Sequence, residues 1–282
     1  MSNNYKKQIT EFFNYRKQYD NDFTYNRAIK LVEYVDLSEG ETVLDVATGT
    51  AIVAIAAAQI IGTKGKVIGV DISPIMLAQA KEKIAELKID NLKLIEADID
   101  NLDFPDNSFN TIFCSSSVPW FTDIPRTFSN WYRWLKPEGK IVFSCYSEKS
   151  FLTPIIVQLS QQICQIDLPD WNSITGTPEK CHHLLEQAGF NNVEVKQEQL
   201  GHYLTVEEAK NTWKGDRLWI NPQGNPLVNL SDEQLAQLKT AYDAKITQLA
   251  SKKGVWEDIT IFYVSAYKSS YSEGEWYSPL QS

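Results

Sequence analysis

Three aspartates with similar surroundings are the residues best suited to bind a ligand. Asp45, Asp71 and Asp98 each lie at or near the end of an apolar segment and are followed by small or polar residues. A carboxylate can attract a cation or accept hydrogen bonds from two neighbouring hydroxyl groups. If the apolar segments are parallel strands, their carboxyl ends meet at one edge of a sheet, where ligands bind. The spacing therefore predicts one binding site that contains all three acids.

The loop after Asp45 consists of small residues, ATGTA at 47–51, and an apolar helical segment follows it. Such a strand–turn–helix unit lets a ligand approach the backbone closely. A dinucleotide-binding loop has the pattern G-x-G-x-x-G, because its glycines make room for a pyrophosphate. Here Gly49 is the only glycine, and Asp45 would repel a pyrophosphate. The loop therefore favours a cationic ligand and argues against a nicotinamide-dependent dehydrogenase.

Strand and helix signals alternate along the chain. Ser73-Pro74 and Thr177-Pro178 are typical helix starts, with an N-cap residue and proline at the first helical position. Repeated strand–helix units with short connections predict a parallel sheet with helices on both faces. We predict strands near 42–46, 66–71, 91–97, 110–114, 140–145, 192–199 and 260–266, with helices near 52–61, 74–87, 125–135 and 178–187.

About 60 residues separate the sixth and seventh predicted strands, far more than an ordinary connection. Two helix starts in this segment, at Thr205–Glu208 and Ser231–Gln234, match the capping-box pattern. We predict a helical cap over 203–256, although a surface decoration or a dimerisation element would fit the same pattern. The other predicted units are an N-terminal helical arm (1–35), a ligand-binding core (36–202 and 257–268) and a flexible tail (269–282).

Composition excludes several classes of partner. The chain has 282 residues and a net charge of −9, which argues against binding nucleic acid or an anionic membrane. Its four cysteines are far apart and form no C-x-x-C pair, which predicts reduced thiols and a cytoplasmic location. We expect neither a signal peptide nor a membrane span.

Four motifs occur in order: VLDVATGT at 43–50, VIGVDISPIML at 67–77, AD at 97–98 with FPDNSF at 104–109, and LKPEG at 135–139. Together they resemble class I S-adenosylmethionine-dependent methyltransferases, in particular those of ubiquinone and menaquinone biosynthesis. The resemblance covers about residues 40–200 and the last strand. It implies a Rossmann-like α/β fold whose seven-stranded sheet has an antiparallel last strand, with the cap inserted between strands six and seven.

The resemblance also implies which residues hold S-adenosylmethionine. Asp45 would lie near the ammonium group of its methionine part, and Ser115 would lie beneath the methionine tail. The backbone of the loop made of Ala47, Thr48, Gly49 and Thr50 would pack under the same part. This ligand carries an ammonium and a sulfonium and no phosphate, which agrees with the preference for a cation.

The adenosine part has its own set of predicted contacts. Asp71 would accept hydrogen bonds from both ribose hydroxyls, and Ile72 and Met76 would enclose the adenine. Asp98 and the backbone of Ile99 would contact the adenine amino edge. The alternative for the three aspartates is that they only stabilise turns.

The methyl acceptor is less well defined by the sequence. An aromatic-rich cap and the absence of a basic surface favour an apolar, aromatic or natural-product small molecule, methylated on oxygen, nitrogen or carbon. We predict Trp120, Tyr146, Tyr203 and Trp213 as walls of its pocket. His202 is the best placed of three histidines for a general base, with a structural role as the alternative, and no metal is expected.

Two other functions remain open. Ser117–Trp120 partly matches the motif that holds a planar amine in amino-group methyltransferases, which would allow N-methylation of a larger partner. The chain could also be a catalytically inactive, methyltransferase-like binding protein. The sequence leaves both the oligomeric state, monomer or homodimer, and the acceptor undetermined.

Overall fold

A seven-stranded mixed sheet forms the centre of the molecule. The structure is a computed structural model that describes residues 2–16, 19–213 and 219–270. Strands β7 (His202–Leu204) and β8 (Val255–Glu257) pair with each other outside this sheet. The central sheet contains β1 (Thr42–Val46), β2 (Lys66–Asp71), β3 (Leu92–Glu96), β4 (Phe109–Ser115), β5 (Leu135–Tyr146), β6 (Asn191–Gln199) and β9 (Thr260–Tyr267).

The strand order is β3-β2-β1-β4-β5-β9-β6. The first five strands in this order pair in parallel, whereas β9 is antiparallel to both of its neighbours. The order reverses at β1, so the carboxyl ends of β1 and β4 border the crevice where ligands bind in such sheets. The predicted Rossmann-like fold with an antiparallel last strand is confirmed. Strand β5 begins at Leu135, earlier than the sequence predicted.

Helices cover both faces of the sheet and build two further regions. The predicted N-caps are confirmed, since the Ser73 and Thr177 side chains each accept a backbone hydrogen bond, and both capping boxes form. The helices of the described residues are α1 (Ser2–Asn14), α2 (Asp22–Glu33), α3 (Ile52–Ile61), α4 (Pro74–Glu86), α5 (Ile124–Trp134), α6 (Thr153–Cys164), α7 (Pro178–Gln187), α8 (Val206–Thr212) and α9 (Asp232–Leu249).

Two hydrophobic cores lie on opposite faces of the sheet. One contains residues of α5 and α7, such as Trp131 and Leu185. The other contains residues of α2 and α3, such as Leu31 and Ile55. Since strands contribute to both cores, their apolar residues are buried on both faces, as parallel sheets require. This packing fixes the carboxyl ends of the strands, which carry the candidate site.

A third core holds together the helical region beyond the sheet. Trp213, Trp219 and Tyr242 are buried in it, together with Leu152 and Ile156 of the α6 region. The sequence placed the cap at 203–256 and did not predict α6. In the structure the segment from about 152 to 171 packs against the predicted cap, so two separate segments of the chain build this region.

The N-terminal segment consists of α1 and α2, in keeping with a helical arm. Helix α2 packs on α3, and α1 contacts α4. Of the predicted tail, residues 271–282 lie outside the described residues. None of the helices in the described ranges is both long and apolar enough to cross a membrane.

Candidate functional site

A cavity opens where β1, β2 and β4 end. The eleven residues predicted to hold the cofactor come from six separate stretches of sequence, and the structure brings them together around this one cavity. They are Asp45, Ala47, Thr48, Gly49, Thr50, Asp71, Ile72, Met76, Asp98, Ile99 and Ser115. This agrees with the expectation that the carboxyl ends of neighbouring strands form the site.

The loop between β1 and α3 bends sharply under the cavity. Ala47, Gly49 and Ala51 all have positive φ angles of 53°, 56° and 64°. Only glycine adopts this left-handed region without steric cost, so two alanines here mark a backbone held by its surroundings. The Thr48 N–H donates to the Val70 carbonyl at 2.9 Å, which ties the loop to β2.

Asp45 is buried, with 1% of its surface exposed. The Thr48 hydroxyl donates to its Oδ2 at 2.5 Å. Burial raises the pKa of Asp45 to about 7, and the neighbouring charge of Asp71 contributes in the same direction. A cation bound beside Asp45 would stabilise its carboxylate and lower this pKa.

Asp71 holds the loop in place and keeps acceptor capacity for a ligand. Its Oδ2 accepts from the Gly49 N–H at 2.7 Å, and its Oδ1 accepts from the Ser73 N–H at 2.8 Å. Burial raises the pKa of Asp71, while these backbone hydrogen bonds lower it. Each carboxylate oxygen can accept a second hydrogen bond, which is what a pair of ribose hydroxyls would require.

Helix α1 covers the side of the cavity where Asp98 lies. The Lys6 ammonium donates to Asp98 at 2.9 Å and to Asp100 at 2.6 Å. The Tyr5 hydroxyl donates to the Trp120 carbonyl at 3.0 Å. These contacts fasten α1 to two loops that follow strands, so the cavity is enclosed by a segment that precedes the sheet in sequence.

The sequence did not identify the residues that α1, α2 and the connection between them contribute to the lining. Lys6, Ile9, Phe13, Tyr19 and Arg27 all line the cavity. The concentration of Tyr and Phe in the first 25 residues was a signal that this segment packs against something. No motif in it indicated which site it covers.

Aromatic residues form one wall of the cavity. Trp120 lines it as predicted, and its ring lies 6.3 Å from Phe13 and 6.3 Å from Trp171, measured between centroids. Phe121 also lines the cavity. Tyr146 does not contribute to the lining directly, but its hydroxyl accepts a hydrogen bond from Arg27, which does.

The remaining predicted residues lie away from this cavity, which corrects the expectation that they line it. Trp213 is buried in the third core, with its ring 5.5 Å from Tyr242. Tyr203 and His202 belong to β7, where Tyr203 packs on Trp256 and His202 lies 3.8 Å from Glu257. Pairing of β7 with β8 directs these side chains away from the site, and His202 remains half-exposed.

The lining contains acids and hydroxyls but no histidine among the described residues. Within the described ranges, no three His, Cys, Asp or Glu side chains are grouped so that they could hold a metal ion. The site is therefore equipped to bind, orient and enclose a ligand that carries both positive charge and an apolar ring.

Comparisons with known proteins point to one family. The model of a methyltransferase domain matches residues 37–189. The chain is 30% identical over 168 residues to arsenite methyltransferase of Halobacterium salinarum, covering 57% of this chain and 40% of that protein. It is 30% identical over 157 residues to demethylmenaquinone methyltransferase of Staphylococcus epidermidis, covering 56% of this chain and 64% of that protein. The chain thus spans less than two-thirds of the length of either relative.

Solved structures share the fold. A phosphoethanolamine N-methyltransferase of Haemonchus contortus, solved with phosphomonomethylethanolamine and S-adenosylhomocysteine, superposes with a TM-score of 0.53. The match covers 86% of this chain and 52% of that chain at 22% identity. At this identity the similarity concerns the fold alone.

Proposed function

Because the chain belongs to the class I S-adenosylmethionine-dependent methyltransferases, we propose that it methylates an apolar, aromatic small molecule on oxygen, nitrogen or carbon. The observation that carries this proposal is the composition of the cavity. The eleven predicted donor-binding residues share it with Phe13, Trp120 and Phe121. Donor and acceptor could therefore meet inside one enclosed space.

The residues present fit S-adenosylmethionine. Three carboxylates face a ligand that carries an ammonium and a sulfonium, and Met76 and Ile99 offer buried apolar surface to a base. Asp45 would hold the ammonium, Asp71 the ribose hydroxyls, and Asp98 with the Ile99 backbone the adenine. When bound, this donor would supply a methyl group that its positively charged sulfur has already activated. As the acceptor atom bonds to the methyl carbon, the electrons of the carbon–sulfur bond would pass to the sulfur.

The task left to the protein is orientation and exclusion of water. Helix α1 encloses the cavity through Lys6 and Tyr5, and the aromatic wall would align a flat acceptor with the methyl group. Since no histidine lines the described cavity, the chemistry favours acceptors that react without deprotonation, or whose proton is lost before binding. Asp45, whose pKa is about 7, is buried and predicted to pair with the ammonium, so we assign it no role as a base.

The two relatives named for arsenite and demethylmenaquinone support a small acceptor. N-methylation of an amine on a larger partner has weaker support, although Trp120 lines the cavity next to Ser117 as that alternative requires. In the structure the Ser117 hydroxyl donates to the Ser115 carbonyl at 3.0 Å, so this side chain is already engaged.

An acceptor assay tests the proposal. We expect the purified chain, given S-adenosylmethionine with a labelled methyl group, to label a compound in the small-molecule fraction of a cell extract. A hydroquinone, arsenite with a thiol, a phenol and an aromatic amine form the defined panel, with products identified by mass spectrometry. The Asp71→Ala variant serves as the donor-binding control and should lose the label.

Other outcomes would overturn the proposal. Label found in the protein or RNA fraction would favour the larger-partner alternative. Tight donor binding without label in any fraction would favour a binding protein.

A further inference from the structure

Among the described residues, the cavity has more carboxylates than cations in its lining, and the two cations differ in whether they already form ion pairs. Among the described residues that line it, three are carboxylates and two are cations, Lys6 and Arg27. Lys6 already pairs with Asp98 and Asp100. Arg27 takes part in none of the ion pairs of the described residues, so no carboxylate of the described part of the chain lies within 4.0 Å of its charge.

Arg27 is nevertheless buried, with 7% of its surface exposed. One guanidinium nitrogen donates to the Tyr146 hydroxyl, and the rings of Phe23 and Tyr146 lie 5.1 and 5.6 Å from the guanidinium carbon. The Nε atom is buried and has no hydrogen-bond partner among the residues that the structure describes. Burying a cation whose N–H donors lack partners costs free energy, unless a bound group accepts those hydrogen bonds and balances the charge.

The donor's methionine part carries one negative group, its carboxylate, beside the ammonium. Asp45 provides a negative charge for the ammonium, and the carboxylate needs a cation in the same cavity. Lys6 is engaged at the Asp98 side, which leaves Arg27 as the cation available among the described lining residues. Guanidinium groups pair with carboxylates through charge-assisted hydrogen bonds in a fixed geometry.

We propose that Arg27 binds the carboxylate of the methionine part of S-adenosylmethionine. Tyr146 is then a positioning residue, since its hydroxyl holds the Arg27 guanidinium and does not itself line the cavity. This gives α2, which lies before the family domain at 37–189, a direct contact with the donor. The inference concerns donor binding and holds whatever the acceptor is.

The test compares two ligands that differ only in this carboxylate. Calorimetry should show that the wild-type chain binds S-adenosylmethionine about 10- to 100-fold more tightly than decarboxylated S-adenosylmethionine, as expected for a hydrogen-bonded charge pair. In Arg27→Gln this preference should fall to less than about threefold, because only the carboxylate-bearing ligand loses a contact. Arg27→Lys should keep part of the preference.

Lys30→Gln is the matched control. Lys30 lies one turn further along α2 and pairs with Glu198, and it is absent from the cavity lining. Lys30→Gln should retain the wild-type preference for the carboxylate-bearing ligand. This would show that a lost preference in Arg27→Gln comes from the lost contact with the carboxylate and not from removing a positive charge from α2. Equal binding of the two ligands by the wild-type chain would overturn the proposal even if Arg27→Gln failed to fold. An unchanged preference in a folded Arg27→Gln would also overturn it, and would point to an acidic group on the acceptor.

Discussion

At the scale of single residues, Asp45 links donor binding to pH. Its pKa of about 7 in the free protein means that it is largely protonated at pH 5.5. An ammonium held beside it stabilises the carboxylate, so binding below pH 7 must release a proton. We expect donor affinity to rise by up to about tenfold per pH unit between pH 5.5 and 7 and to level off above that range. Calorimetry at pH 6.5 in two buffers of different ionisation enthalpy should detect the released proton.

The control for this effect is Asp45→Asn. Asparagine can still accept the hydrogen bond of the Thr48 hydroxyl, but it has no proton to release. The variant should bind the donor more weakly at pH 8, with no proton release and little pH dependence. Equal wild-type affinities at pH 5.5 and 7.5 would show that Asp45 does not face the ammonium.

Residue identities explain which parts of the site could be predicted from sequence. Asp71 is the last residue of β2 and Asp98 follows β3, and both strands are recognisable from apolar runs, so the proximity of the two acids follows from the topology of the sheet. Lys6 and Arg27 belong to helices that precede the sheet, and their positions depend on how α1 and α2 pack against it. No local pattern encodes that packing, so these two cations were found only in the structure.

At the scale of helices and strands, the sequence correctly predicted features in which a side chain forms a hydrogen bond with nearby backbone. The capping boxes at Thr205 and Ser231 form as predicted, because each involves residues three apart. Helix α6 was missed, since Leu152 at its N-cap makes no side-chain capping bond. Trp213 was assigned to the pocket because aromatic composition predicts burial without indicating which core receives the side chain. Tyr203 is exposed on β7, so for this residue the prediction of burial itself was wrong.

A substitution in the third core should lower the stability of the fold without weakening donor binding. Trp213→Ala removes a buried indole that packs on Tyr242, and should lower the free energy of unfolding by about 3–5 kcal/mol. Donor affinity should stay within about twofold of wild type, because Trp213 does not line the cavity. Urea unfolding and calorimetry on the same preparation would measure both quantities.

Trp120→Ala is the matched comparison for Trp213→Ala. Trp120 is only partly buried and lines the cavity, so its loss should cost less stability and impair turnover of an aromatic acceptor. A Trp213→Ala variant with normal stability but weakened donor binding would contradict the assignment of Trp213 to the third core.

At the scale of the whole molecule, the enclosed cavity couples ligand binding to the stability of the fold. The lining includes residues of α1 and α2 and residues at the ends of β1, β2, β3 and β4, so a bound donor connects segments that are distant in sequence. A ligand that binds only the folded chain stabilises it by about 2.7 kcal/mol at 100 times its dissociation constant. At about 2.1 cal/mol/K of unfolding entropy per residue, this corresponds for a chain of 282 residues to an increase in Tm of roughly 5 °C.

Thermal unfolding should therefore distinguish the classes of ligand that the Asp45 loop admits. S-adenosylhomocysteine should raise Tm by this amount, whereas a nicotinamide dinucleotide should not, since the loop has one glycine and a buried acid beside it. Asp71→Ala should abolish the increase, because the variant loses the ribose contacts and the anchor of the Gly49 N–H together. An increase with the dinucleotide, or one that survives in Asp71→Ala, would mean that the ligand occupies the cavity in a different way. The Lys30→Gln control should keep the full increase, because its ion pair with Glu198 lies outside the cavity.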